Sequence, residues 1–325
     1  MGSLSLRVLL QSSPSPFLRF LSLIVPPAPY LPVLALLIGA STWGIVWYPY
    51  RLLAHNGVGG EWSALITYGI ATVAAVALFP RAPREWLPRP WLFLLMGLSG
   101  GISNIAYIIS ILEGNVMRVV LLFYLAPLWT IPLAHWLLKE KLDARGYGVM
   151  AIAMLGAMVM LWHPAIGAPW PQSRADWLGV VAGLFFALCN VLVRKAAGAS
   201  NAAKSTSILL GVTLVAAPVA LVFAQKVAWS VVAGQWPMLL GIALTLVAMS
   251  LVLQYGLSHI AATRAVVILL FELVVATAAA WLLAGEVAGI REWIGGALII
   301  AASLLSGLVR SSGEQNIDGA SGKNN

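Results

Sequence analysis

Ten windows of about twenty apolar residues, separated by short connectors, leave this chain few folds to adopt. They run approximately over 32–53, 61–79, 91–112, 115–138, 145–162, 176–197, 203–223, 236–257, 263–283 and 291–309. A bilayer core roughly 30 Å thick is crossed by a helix of about 20 apolar residues, so each window has the length of one crossing. Composition agrees, with 61% hydrophobic residues, 9% charged residues and a mean hydropathy of +0.92. A chain of this kind belongs in a lipid bilayer. The windows are rich in Leu, Ala and Gly and lack the alternation of barrel strands, which predicts an all-α membrane protein of ten transmembrane helices.

The connectors carry Pro, Gly and charge, as in PRAPREWLPRP (80–90), and none is long enough for a soluble domain. Residues 1–31 hold a nine-residue apolar piece at 17–25, too short to span and followed by no small-residue cleavage site. They read as a cytoplasmic leader. Residues 163–175 read as a periplasmic connector and the polar stretch 310–325 as a disordered cytoplasmic tail. With the N-terminus inside, fourteen of the nineteen basic residues fall on one face of the membrane, which predicts both termini in the cytoplasm. The net charge of +8 is explained by that bias and argues for no nucleic-acid partner. A lone Cys189 excludes an internal disulfide.

The chain repeats itself. A shift of 146 lays residues 118–145 over 264–291, so that Arg118, Glu140 and Arg145 fall on Arg264, Glu286 and Arg291. A shift of 143 lays Trp43, Gly44, Trp47 and Arg51 over Phe186, Ala187, Asn190 and Arg194. Each half, 32–162 and 176–309, holds five windows. An odd number forces the second half to enter the membrane from the opposite side, so the repeats are inverted. Two equivalent halves of opposite topology can exchange conformations and open a midplane site to each side in turn, which points to a carrier.

Several motifs in order resemble the EamA-like family of the drug/metabolite transporter superfamily. They are Trp43-Gly44 with Pro49 and Arg51 in the first window, YLAPLWT (124–130) in the fourth and the glutamate of FELVV (271–275) in the ninth, together with Lys139-Glu140 and Gly285-Glu286 at helix ends. The resemblance covers about 32–309. It implies a ten-helix exporter of small metabolites such as amino acids, in a bacterial inner membrane, built from two five-helix repeats. The chain carries Leu273 where many members carry a proline after the ninth-window glutamate.

Trp43, Trp47 and Arg51 are spaced by four and share one helical face, while Pro49 removes a backbone hydrogen bond and tends to bend the helix. Such a face suits a central cavity, although tryptophans also anchor at interfaces and Arg51 can snorkel to the outer surface. In the second half the corresponding face presents Phe186, Asn190 and Arg194. Glu272 stands near the middle of the ninth window. A charged group at that depth costs on the order of 3 kcal/mol on insertion scales, so it must face the bundle interior or water. Glu272 is therefore a candidate proton carrier or partner for a substrate ammonium, the alternative being a protonated carboxyl bonded to another helix. Asn104 and Tyr107 in the third window and Gln254 in the eighth are further cavity candidates, with interhelical hydrogen bonding as the competing use. Tyr124 joins them, because Pro127 interrupts the fourth window near mid-membrane. Pro49 and Pro127 are thus the candidate kink or gating positions. Glu140 and Glu286 read as stabilisers of tight turns, and the glycines from Gly97 to Gly101 and at 146, 148, 156, 295 and 296 as points of close helix approach.

These readings place windows 1, 3, 4, 6, 8 and 9 around the cavity, windows 5 and 10 as support, and windows 2 and 7 at the gates. A small-molecule substrate and the bilayer are the expected partners. Proton coupling and facilitated diffusion both stay open, as do the monomer and the homodimer. No metal or cofactor is expected. The sequence has no His-Glu-x-x-His, no carboxylate cluster, no nucleophile elbow and no phosphate loop, so a membrane enzyme ranks far below a carrier, as does a scaffold. An importer, or an exchanger of sugar phosphates or nucleotide sugars, is the alternative within the same superfamily.

Overall fold

A computed structural model describes residues 30–114, 116–162, 170–222, 227–284 and 289–308. Most of the leader, most of the 163–175 connector, the tail and Glu286 lie outside these residues, as does the side chain of Arg118. The helical bundle comprises the described residues from Pro32 onward.

The described residues form thirteen α-helices and one 3-10 turn, with no strand among them. In chain order they are α1 (Leu31–His55), α2 (Gly60–Leu78), the 3-10 turn Ala82–Trp86, α3 (Pro90–Glu113), α4 (Val116–Phe123), α5 (Ala126–Leu138) and α6 (Ala144–Leu161). The second half continues with α7 (Arg174–Lys195), α8 (Asn201–Val222), the short α9 (Trp229–Gly234), α10 (Trp236–His259), α11 (Ala262–Leu269), α12 (Phe271–Ala284) and α13 (Ile290–Leu308). Nine stretches of the described residues are long and apolar enough to cross a membrane, with α4–α5 and α11–α12 each counting as one interrupted span. A tenth, shorter apolar stretch, Trp293–Leu305, lies inside α13.

The interruptions have local causes. Pro127 stands at the start of α5; it has no N–H to give to the Phe123 carbonyl, and its ring crowds that oxygen, so the helix breaks at Tyr124–Leu125. The freed carbonyl packs against α7 at Gly183, where a Cβ would lie 2.5 Å from the Phe123 oxygen. The ninth span breaks at Leu270 with no proline, and Glu272 falls in the first turn of α12 instead of mid-helix. Pro49, by contrast, sits within a continuous α1.

The halves interlock. α3 packs along α7 and α8, α2 along α8, and α6 along α13. At the α3–α8 crossing a Cβ on Gly211 would lie 2.0 Å from the Gly97 carbonyl oxygen, and one on Gly101 would lie 2.5 Å from the Gly211 oxygen. Gly156 and Gly295 make the same kind of backbone contact between α6 and α13, at 2.8 and 2.5 Å. Not every glycine serves this purpose: nothing lies within 4 Å of a Cβ on Gly148.

Candidate functional site

A cavity of about 200 Å³ lies in the interior of the bundle, lined from α1, α2, α3, α4, α7, α8, α10, α11 and α12. No residue of α6 or α13 contributes, in keeping with their mutual packing.

One wall is aromatic. Tyr107 and Phe123 have ring centroids 4.8 Å apart, and Phe123 lies 5.3 Å from Phe186, within the range of favourable ring pairs. Trp43 from α1 completes the aromatic lining together with Tyr68 of α2. The broken fourth span creates the centre of this wall, because Phe123 is the last residue of α4 before the turn.

The polar side consists of Asn104, Asn190, Gln254, Ser103, Ser250 and Glu272. Asn104 donates from Nδ2 to the Tyr68 hydroxyl at 3.1 Å, but its Oδ1 has no partner. Asn190 Nδ2 and Gln254 Oε1 are likewise buried and unbonded. Buried polar atoms are nearly always satisfied, so three unmatched amide atoms around one cavity leave room for a ligand or water to bond them. The Ser103 hydroxyl is already spent on the Ala182 carbonyl at 2.9 Å, tying α3 to α7. Glu272 shares a hydrogen bond with Tyr124, which is buried behind the cavity wall and does not itself line it. At the first turn of α12 the Glu272 carboxyl also meets the positive end of the helix dipole. Gly44 makes this possible from the α1 side: a Cβ there would lie 2.9 Å from the Glu272 carbonyl oxygen.

Of the sequence candidates, Trp43, Asn104, Tyr107, Asn190, Gln254 and Glu272 meet in this cavity. Trp47 and Arg51 do not line it. Arg51 is exposed, with its guanidinium 5.9 Å from the Trp47 ring centre, a cation–π contact nearer the end of α1. Pro49 lines a separate shallow groove between α1 and α10, with Thr42 and Met238. Pro127 is buried beside the break it causes. Spans 2 and 7, expected only at the gates, supply cavity lining through Tyr68 and through Ile208, Leu209 and Val212. Sequence reasoning missed Tyr68; the signal that could have found it is Thr72, four residues on and on the same helical face.

An interlocked helical bundle with interrupted spans around a central, partly polar cavity defines a multi-pass membrane transporter. The sequence profile of the EamA-like transporter family matches residues 31–162 and again 173–308, and the chain belongs to that family. It is 28% identical over 254 residues, 77% of this chain and 88% of the other, to an uncharacterized transporter of Archaeoglobus fulgidus. It is also 28% identical over 141 residues to an uncharacterized transporter of Pseudomonas aeruginosa, covering 42% of this chain and 43% of that one. A solved crystal structure superposes with a TM-score of 0.70 over 85% of this chain and 96% of its own, at 15% identity, a likeness of fold.

Proposed function

We propose that this transporter exports small amphipathic metabolites, amino acids with apolar or aromatic side chains foremost, by alternating access through the central cavity. The observation that carries the reading is the pairing within one cavity of an aromatic wall with Glu272 and three unmatched amide atoms. An ammonium group suits Glu272 and the free amide oxygens of Asn104 and Gln254, a carboxylate suits Asn190 Nδ2, and an apolar side chain suits Trp43, Tyr107, Phe123 and Phe186. Sites for drug-sized ligands run to roughly 300–1,000 Å³, so a cavity of about 200 Å³ favours a smaller solute. Among the described residues no Lys or Arg lines it, which counts against phosphates and nucleotide sugars. The setting is a bacterial inner membrane with both termini in the cytoplasm, a reading supported by the basic-residue bias. Glu272 serves as ammonium partner or proton carrier.

Uptake of radiolabelled amino acids into proteoliposomes, with and without an imposed pH gradient, tests this with the native protein and Glu272→Gln. Apolar amino acids are expected to move and acidic ones to be excluded. Loss of gradient-driven accumulation alone in the variant assigns proton coupling to Glu272. Loss of all flux assigns it to binding. Movement of no amino acid, with flux of a phosphorylated solute, overturns the substrate class.

A further inference from the structure

Directly beyond one end of the cavity lies a buried ionic cluster. Val193 and Leu257 line the cavity, and the residues that follow them, Arg194 and Ser258, belong to the cluster. Arg194 Nε donates to Glu140 Oε1 at 3.3 Å, with both side chains almost fully buried, and its Nη1 donates to the Ser258 carbonyl. Glu140 Oε2 accepts from the backbone N–H of Ala262, the first residue of α11, at 3.0 Å. Lys204, with no exposed surface at all, donates to the Ser258 hydroxyl, which in turn donates to the carbonyl of Gln254 in the cavity. Glu85, within electrostatic reach of Lys204, accepts from the N–H and hydroxyl of Ser200 at 2.8 and 2.7 Å.

The partition of these groups is informative. The buried ion pair spans the halves, with Glu140 just after α5 in the first and Arg194 in α7 of the second, while Lys204 of α8 has the solvent-exposed Glu85 of the 3-10 turn within electrostatic reach. Buried opposite charges hold only while their partners are in place, since separating them leaves each charge uncompensated. The opposite end of the bundle is bridged differently. Among the described residues, the polar contacts between halves there include Asn56 with Gln235, Arg174 with Glu113 at 3.7 Å and Arg291 with the Trp162 carbonyl, all exposed to solvent, beside an apolar cluster that joins Leu53 and Val58 to Val232. Exposed pairs of this kind contribute little.

We infer that the Glu140–Arg194–Lys204 cluster is the gate that seals the cavity at its cytoplasmic end, and that parting of Glu140 from Arg194 is the step that opens it there. Ser258 links this gate to the cavity through Gln254. The inference rests on the carrier reading above, yet its readout needs no transported solute, so failure of one leaves the other standing.

The test is thiol accessibility in a Cys189→Ala background. Leu257→Cys puts one thiol on the cavity floor beside the cluster, and a sulphonated, membrane-impermeant maleimide is applied to inside-out vesicles. Adding Glu140→Gln is expected to raise the labelling rate at least tenfold, and Arg194→Gln on top of it to add little, because one latch is already open. Equal rates with and without Glu140→Gln overturn the inference. Equal acceleration at Ala153→Cys, buried in α6 away from the cavity, also overturns it by showing general loosening. Should Glu140→Gln fail to reach the membrane, Lys204→Met removes one cation and is read in the same way.

Discussion

Gly211→Ala is the substitution whose effect follows most directly from the packing. Its new Cβ would stand 2.0 Å from the Gly97 carbonyl oxygen and 2.2 Å from the carbonyl carbon. Both obstructing atoms are backbone, so no side-chain rotation relieves the overlap. Ordinary contact begins near 3.4 Å, and α3 and α8 must part locally by more than 1 Å. Overpacking of this kind costs about 1–3 kcal/mol, against which alanine recovers up to ~1 kcal/mol of helix preference over glycine. With backbone on both sides the upper part of the range applies, leaving a net loss of about 2 kcal/mol and a fall in Tm of roughly 5 °C. The same displacement separates Ser103, Asn104 and Tyr107 on α3 from Leu209 and Val212 on α8, so solute flux should fall with stability. Thermal unfolding in detergent micelles measures the first effect and proteoliposome uptake the second. Gly148→Ala is the internal control: it meets nothing within 4 Å and should melt at or slightly above the native temperature. If the two variants melt alike, the close α3–α8 crossing is wrong, and with it the shape of the cavity.

Two further outcomes are expected. Trp43→Ala should raise the KM for a transported apolar amino acid roughly tenfold, the loss of about 1.5 kcal/mol of apolar burial, whereas Trp47→Ala, outside the cavity, should leave it unchanged. Asp176→Ala should lower stability by about 1–2 kcal/mol in thermal melts, because the buried Asp176 carboxylate completes a capping box with Ser173 and also accepts from the Gln172 N–H at 2.8 Å.

The spans were legible because the bilayer imposes a length that apolar windows reveal directly, and the Pro127 break was legible because proline lacks a donor. Facing was harder. Trp43, Trp47 and Arg51 share a helical stripe, but each step of four residues also climbs about 6 Å, so the stripe leaves a small cavity after its first member. Whether a stripe meets a cavity depends on the neighbours it runs along, and these are fixed by tertiary packing. Lys204 illustrates the opposite error. It stands at the start of the seventh window and counts among the fourteen inner-face basic residues, yet it is wholly buried in the first turn of α8. Its hydrogen bond to Ser258 and the nearby charge of Glu85 both come from distant parts of the chain, and no local pattern records them.

The breaks in the fourth and ninth spans show what the repeat preserves and what it does not. The shift of 146 carries α4, Val116–Phe123, onto α11, Ala262–Leu269, residue for residue. Pro127 then falls on Leu273, so the second interruption stands without the proline that accounts for the first. The interruption is thus a property of the repeated fold, and the proline one local way of reinforcing it. Chemistry is not repeated with it. Glu272, in the first turn of α12, corresponds to Ala126 at the start of α5, so only one half presents a carboxyl to the cavity. Backbone symmetry allows the halves to trade conformations, whereas a single carboxyl lets a polar solute bind in one orientation. Ala126 is itself buried and outside the cavity lining, so the first half has no counterpart of the Glu272 carboxyl either in residue type or in access to the cavity.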